Sequence, residues 1–167
     1  MAVHTIKRGL DLPISGEPIQ VIETAPPTTL VALLAQDYHF MKPRMHAAVG
    51  DLVRRGQLLF EDRKTEGIRF TAPGAGTVIA INRGDRRAFQ SLVIELSDGE
   101  RAGEPTDVDF MPFDSFTGNG VSTLDADQVR ALLVESGQWV SLRTRPFSKV
   151  PGPTENCHSI FVIAMDT

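Results

Sequence analysis

Along residues 28–96 the apolar positions fall in short runs broken by turn residues. Thr28–Leu34 is β-branched and apolar and reads as a strand. Met45, Ala47 and Val49 alternate with His46 and Ala48, and Gly50-Asp51 makes a turn. Val53 precedes Arg54-Arg55-Gly56, and Leu58-Leu59-Phe60 is apolar throughout. A turn containing Gly67 leads to Ile68 and Phe70, which alternate with Arg69 and Thr71. Ala72–Gly76 turns again, Thr77–Ile81 is a β-branched strand, Asn82-Arg83-Gly84-Asp85 is a hairpin signal, and Ser91–Leu96 ends the series. Several short strands separated by turns at close intervals predict a sandwich or barrel.

The flanks read differently. Residues 1–27 are dense in turn formers, closed off by Pro26-Pro27, and are expected to be irregular. The barrel is expected over residues 28–97 and a linker over 98–121, where Phe110, Phe113 and Phe116 should pin the segment to a neighbour. From Ser122 the pattern turns helical: Thr123 or Asp125 can cap, Val129, Leu132 and Leu133 share a face, and Gly137 is a stop. Trp139–Pro153 is basic, aromatic and Pro-rich and reads as a loop. Ser159–Ala164 is wholly apolar and predicts a strand buried on both faces. A helix, a loop and a buried strand over residues 122–167 suggest the start of an α/β, Rossmann-like domain whose sheet is expected to be completed by further residues. The fold class is therefore mixed, a β-rich domain followed by an incomplete α/β unit.

Charge supports a boundary between the two. Residues 1–94 carry 12 Lys and Arg against 9 Asp and Glu, whereas residues 95–167 carry 5 against 12, within a net charge of −4. The basic excess is small and its aromatics are not interleaved, which argues against a nucleic-acid partner. No stretch approaches the roughly 20 apolar residues of a membrane helix. Met1–Leu10 is basic with no apolar run after it, so no signal peptide is read. The single cysteine, Cys157, can form neither an internal disulfide nor a metal site alone.

Two words carry the strongest fold signal. Val49-Gly50-Asp51-Leu52-Val53-Arg54-Arg55-Gly56-Gln57-Leu58-Leu59 and Ala72-Pro73-Gly74-Ala75-Gly76-Thr77-Val78 resemble the two halves of a biotinyl/lipoyl domain, a barrel-sandwich hybrid. In carriers of that family a lysine sits at the hairpin tip between the halves and takes the prosthetic group. Here the tip reads Glu61-Asp-Arg-Lys-Thr-Glu-Gly67. Lys64 lacks the flanking methionine or alanine, and its interval to Ala72-Pro73 is a residue longer than in the biotinyl pattern. The scaffold is kept and the carrier site is read as lost, with a carrier domain in group transfer as the alternative.

The resemblance extends further. Ile6-Lys-Arg-Gly-Leu-Asp-Leu-Pro-Ile-Ser-Gly-Glu-Pro18, Phe60-Glu-Asp62, Phe70-Thr-Ala-Pro73, Ile81-Asn-Arg-Gly84, Leu142-Arg-Thr-Arg-Pro-Phe-Ser-Lys-Val-Pro151 and Ser159–Thr167 resemble the A-type subunits of the sodium-translocating NADH:quinone reductases. Arg143-Thr-Arg-Pro-Phe-Ser-Lys149 is the most specific word. The resemblance implies a peripheral, non-redox subunit on the cytoplasmic side of the bacterial inner membrane, in a complex that passes electrons from NADH to ubiquinone and exports Na⁺. It implies no cofactor in this chain, with flavins and iron–sulfur centres in partner subunits. Related flavoprotein subunits carry a glycine-rich stretch after a helix, whereas here Asp125–Ser136 is followed by Gly137-Gln-Trp-Val-Ser-Leu-Arg-Thr-Arg145, so neither FMN nor NADH is expected there.

His4, His39, His46 and His158 have no metal-like spacing, and Glu61-Asp62 points to opposite faces of a strand, which disfavours acid–base use. A quinone site needs an apolar slot and a few polar donors. Tyr38, Phe40 and Met41 in one segment, and Trp139, Arg143, Arg145 and Phe147 in another, are the candidate residues for contact with quinone or with the membrane-embedded part of the complex. If the chain is not a carrier, its purified form has the unmodified intact mass; an added biotinyl or lipoyl mass mapping to Lys64 would restore the carrier reading.

Overall fold

The computed structural model describes residues 5, 15–16, 19–118 and 120–162. Among the described residues seven strands carry the first part: β1 (Leu30–Leu34), β2 (Pro43–Met45), β3 (Leu52–Val53), β4 (Leu58–Asp62), β5 (Arg69–Thr71), β6 (Gly76–Arg83) and β7 (Phe89–Leu96). They form two antiparallel sheets, one ordered β1-β7-β6-β3 and the other β2-β4-β5. Residues 19–27 are exposed and form no regular element. The strand expected from Thr28 begins at Leu30, and the one expected over Met45–Val49 lies earlier, at Pro43–Met45. The Asn82–Asp85 hairpin is present, but its turn is a short 3₁₀ segment, Asp85–Arg87, with Arg86 and Arg87 at positive φ.

The two sequence words meet as reciprocal halves. Gly56 N donates to Ala72 O at 2.8 Å and Ala72 N to Gln57 O at 2.8 Å. Likewise Gly50 N donates to Val78 O at 2.8 Å and Val78 N to Asp51 O at 2.9 Å. Asp51 also holds the turn before it, its carboxylate accepting from Ala48 N at 2.8 Å. Gly76 is required by close approach: a Cβ there would lie 1.9 Å from the Glu95 carbonyl oxygen of the neighbouring strand.

The core lies between the sheets and is built on Leu59, Phe60, Ile68, Phe70, Val78, Leu92 and Ile94. Leu59 and Phe60 are adjacent yet both fully buried, which a regular strand forbids because successive side chains alternate faces. A β-bulge between the Leu58 and Phe60 pairings of β4 with β5 resolves this, turning both inward. The Phe60 and Phe70 rings then stack with centroids 4.6 Å apart, and Phe89 meets Phe60 edge-on at 5.1 Å.

The described residues of the 98–121 segment hold regular structure. It contains α1 (Asp98–Ala102), capped by the Ser97 side chain, and a 3₁₀ turn at Asp107–Asp109. It lies against the barrel through Arg55 N to Asp109 O and Met111 N to Arg55 O, both 2.8 Å. Glu100, its side chain 3% exposed, forms a two-pronged ion pair with Arg55 and also accepts from Ala75 N at 2.8 Å. Of the three phenylalanines, Phe110 lies under the Arg55 guanidinium, 5.2 Å from its ring centroid, and Phe113 packs over the backbone of Gly56, while Phe116 is mostly exposed.

The helix α2 (Ala126–Glu135) starts at Asp125, not Thr123; Asp125 accepts from the Asp127 and Gln128 amides, and the Gln128 side chain accepts in return from the Asp125 amide. It ends at Gly137 in the left-handed conformation. Glu135 ties its end to the preceding arm by accepting from the Ser115 hydroxyl and from the Ser115 and Asp114 amides. The loop expected over Trp139–Pro153 opens with a 3₁₀ turn, Gln138–Ser141, and returns across the barrel, where Val150 joins the core and Pro153 lies beside Gly67 at the β4–β5 tip. The buried strand expected at Ser159–Ala164 is not formed over its described part. Ile160, Phe161 and Val162 are 76%, 84% and 87% exposed, and residues 163–164 lie outside the described residues. An apolar run becomes a strand by pairing, and no strand among the described residues runs beside this one.

Burial alone would raise the Glu100 carboxyl, but the Arg55 hydrogen bond, the Ala75 amide and the Arg55 charge outweigh it and hold it below the ordinary glutamate value. A carboxyl depressed in the folded state stabilises fully above its unfolded pKa and loses that contribution as pH falls through the folded one. Stability should therefore decline as pH drops below the ordinary value of 4.5. Glu100→Gln should cost about 2 kcal/mol at neutral pH and flatten this acid limb, as read by denaturant unfolding at several pH values.

Candidate functional site

The two candidate segments, far apart in sequence, meet in the fold. Tyr38 follows the 3₁₀ turn Ala35–Asp37 after β1, and its ring packs edge-on against Phe70 with centroids 4.7 Å apart. The Arg143 guanidinium lies over the outer face of Tyr38, 4.9 Å from the ring centroid, and its Nη2 donates to the Asp37 carbonyl at 3.1 Å. Arg143 thus holds the 37–41 segment to the loop after α2 by a cation–π contact and a charge-assisted hydrogen bond.

The rest of the Arg143–Lys149 word closes a small loop. Thr144 N and Oγ1 both donate to Lys149 O, at 2.8 and 3.0 Å, and Ser148 N donates to Thr144 O at 2.9 Å. Arg145 and Phe147 lie at the exposed end of this loop, with Phe147 71% exposed. Trp139 turns inward against the core, and its indole N–H donates to Pro151 O at 2.8 Å. Met41 also packs against the core, whereas Phe40 is 60% exposed and held at φ +67°. The seven candidates therefore divide: Tyr38, Met41, Trp139 and Arg143 are built into the structure, and Phe40, Arg145 and Phe147 project from it.

Beside Tyr38 an open cleft of about 390 Å³ runs between the barrel, the 110–113 arm and the end of α2. Its walls are apolar at Leu33, Phe70, Phe110, Met111, Phe113 and Val140, with polar groups from Tyr38, Arg55, Thr71, Gln138 and Ser141. Sequence reasoning does not single out Arg55, Gln138 or Ser141. The usable signal is the trio of phenylalanines in an otherwise polar linker, two of which form a wall. Arg55 is legible only as part of a glycine-flanked turn.

The end of α2 does not suit a flavin phosphate. Its single glycine, Gly137, is backed by Thr71, whose Oγ1 would lie 2.4 Å from a Cβ built there and already donates to Ser136 O at 2.9 Å. Trp139 then occupies the turn. The carboxylate pair is used structurally: Glu61 meets His46 Nε2 at 3.1 Å, and the buried Asp62 accepts from the amides of Lys42 and Lys64, both at 3.1 Å. Lys64 is not a free tip lysine, since its Nζ donates to Phe40 O at 3.0 Å. Among the described residues no group of His, Cys, Asp and Glu is placed to hold a metal ion, and no helix is long and apolar enough to cross a membrane.

Tyr38 is the only tyrosine in the chain, so its ionisation can be followed by phenolate absorbance alone. Burial pushes its phenol above the ordinary value of 10.0, Arg143 draws it back and Asp37 adds a smaller upward push. Arg143→Gln should move the midpoint higher still; an unchanged midpoint would mean that the guanidinium does not face the ring in solution.

Comparison with known proteins gives one consistent picture. Residues 4–97 match the family model described as the NqrA N-terminal barrel-sandwich hybrid domain, and residues 124–167 match that of the NqrA second alpha/beta domain. The chain is 50% identical over 163 residues to the A-type subunit of the Na(+)-translocating NADH-quinone reductase of Vibrio anguillarum, covering 98% of this chain and 34% of that protein. It is 52% identical over 162 residues to the corresponding protein of Pseudomonas aeruginosa PAO1, covering 97% and 34%. That of Marinomonas sp. MWYL1 is 50% identical over 165 residues, covering 99% and 35%. The chain therefore spans about a third of the length of these relatives.

Proposed function

Because the chain belongs to the NqrA family, the A-type subunits of the Na⁺-translocating NADH-quinone reductases, we propose that it is a peripheral, non-redox part of such a complex. In this reading it docks on the membrane subunits at the cytoplasmic side of the bacterial inner membrane and contacts ubiquinone. Flavins and iron–sulfur centres belong to the partner subunits, which carry the electrons from NADH and couple them to Na⁺ export.

The observation that carries this reading is the Arg143–Tyr38 contact at the side of the apolar cleft. A quinone head group is a flat apolar ring with two carbonyl acceptors. The cleft supplies aromatic walls for the ring, and the Tyr38 hydroxyl, Arg55 guanidinium and Gln138 amide are donors of the kind its oxygens need. Arg143 acts as a positioning residue, holding Tyr38 while itself facing outward. Phe40, Arg145 and Phe147 are offered to the partner, since they project from the fold. The barrel supports the reading by keeping its halves paired while its tip lysine is tied to Phe40 O, an arrangement that favours a rigid scaffold over a swinging arm.

The test is photo-crosslinking of the assembled complex with a reactive ubiquinone. Label is expected in peptides spanning 33–38 and 137–141, reduced several-fold by Arg143→Gln with the complex still assembled. Label confined to other subunits would overturn quinone contact by this chain, and failure of the chain to co-purify with membrane subunits in detergent would overturn the docking.

A further inference from the structure

Three loops converge on one face of the barrel. Arg143 joins the Thr144–Lys149 loop to residues 37–38. Lys64 Nζ donates to Phe40 O at 3.0 Å and Arg63 N to Lys42 O at 2.8 Å, joining the β4–β5 tip to the same segment. Residues 37–44, 61–66 and 143–149 together hold seven Lys and Arg against four Asp and Glu, in a chain of net charge −4.

The cations on this face are unspent. Among the described residues the ion pairs are His46–Glu61, Arg55–Glu100, Arg101–Asp98 and Arg130–Asp127, and none uses Lys42, Arg63, Lys64, Arg143 or Arg145. Of the face's four acids, Glu61 is on His46 and Asp62 is buried on backbone amides, and the seven cations outnumber all four. Arg143 and Lys64 donate to main-chain carbonyls, which leaves their charge uncompensated. Among these cations stand two exposed aromatic tips, Phe40 and Phe147, on different loops. Phe40 holds a positive φ that is uncommon for a bulky side chain.

We propose that this face rests on the anionic phospholipid surface of a bilayer, with Phe40 and Phe147 entering the head-group layer and the surrounding Lys and Arg meeting phosphates. The inference deepens the docking reading above and rests on it in placing the chain beside a membrane. It names lipid, not the membrane subunits, as what the basic rim meets. The pattern favours lipid over an acidic protein face. A protein interface gathers its apolar residues into a core with a polar rim, whereas here single exposed aromatic tips on two different loops stand among long, flexible cations, as in segments that sit in the interfacial layer. Each basic residue near an anionic leaflet contributes roughly a fivefold gain in partition, and salt screens that gain.

The test is sedimentation of the chain with vesicles of phosphatidylcholine alone or mixed equally with phosphatidylglycerol. Binding to the mixed vesicles only, abolished by high salt, is expected. Arg63→Gln with Arg145→Gln should weaken it about twenty-five-fold, and Phe147→Ala should weaken it without changing its salt dependence. Arg63 and Arg145 form no ion pair among the described residues and Phe147 is exposed, so unfolding does not confound the result. Arg86→Gln with Arg87→Gln, at the β6–β7 turn, removes equal charge elsewhere and should leave binding nearly unchanged. Equal loss from that control, or no vesicle binding, overturns the proposal. Salt-sensitive binding to polyglutamate without vesicle binding does so too and assigns the face to an acidic protein. Co-purification with the membrane subunits is scored separately, so the lipid contact can fail while the docking reading survives.

Discussion

The ion pair between Arg55 and Glu100 is the buried charged contact that joins the barrel to the segment leaving it. Glu100 lies on a helix too short to be stable alone. Its carboxylate is almost completely buried, a position that is unfavourable for a charge unless it is fully partnered. The partners are a guanidinium from one barrel word and the Ala75 amide from the other. One carboxylate therefore ties both halves of the barrel to the segment that leaves it. The other face of the same guanidinium covers Phe110, which sets the first wall of the cleft. Arginine suits this place because a planar, permanently charged fork can satisfy a carboxylate at its edge and an aromatic ring at its face together.

The cleft follows from that arrangement. Its floor is the β5 face of the barrel, one wall is the arm held by Arg55, and the other is the end of α2, seated on Thr71. Glu135 strengthens the join between the two walls. The Ser115 hydroxyl holds its carboxyl below the ordinary glutamate range against an opposing push from burial, and the Ser115 and Asp114 amides add to the effect. A glycine-rich turn at the end of α2 would leave room for a phosphate. Here Gly137 is used for helix termination and close packing, and the space goes to side chains. Arg143 then joins the far loop to Tyr38, so that the cleft and the basic face next to it are supported by the same residue.

What is legible in the sequence is local. The paired barrel words, the Asp125 cap (one of two caps the pattern offers) and the Gly137 stop are set by backbone geometry within a few residues, and each lies where the pattern allows it. The bulge that buries Leu59 beside Phe60 leaves only an apolar triplet as its trace. Tyr38 and Arg143 each stand out in the sequence, but their contact is not readable there, because nothing local couples residues so distant along the chain. The described part of the Ser159–Ala164 run, through Val162, shows the opposite failure. Its composition suits a central strand, and composition carries no information on whether a neighbour is there to pair with it.

The position of Val150 bears on the order in which the molecule can be made. The last barrel strand ends at Leu96, yet a side chain from well beyond it belongs to the same buried cluster, with Trp139 and Val140 packed alongside. A ribosome that has released every strand has still not released the residues that finish the barrel's interior. Until they arrive, the part of the cluster that Val150, Trp139 and Val140 cover stays open to water. Completion of the barrel's core is thus coupled in time to synthesis of the segment that follows it.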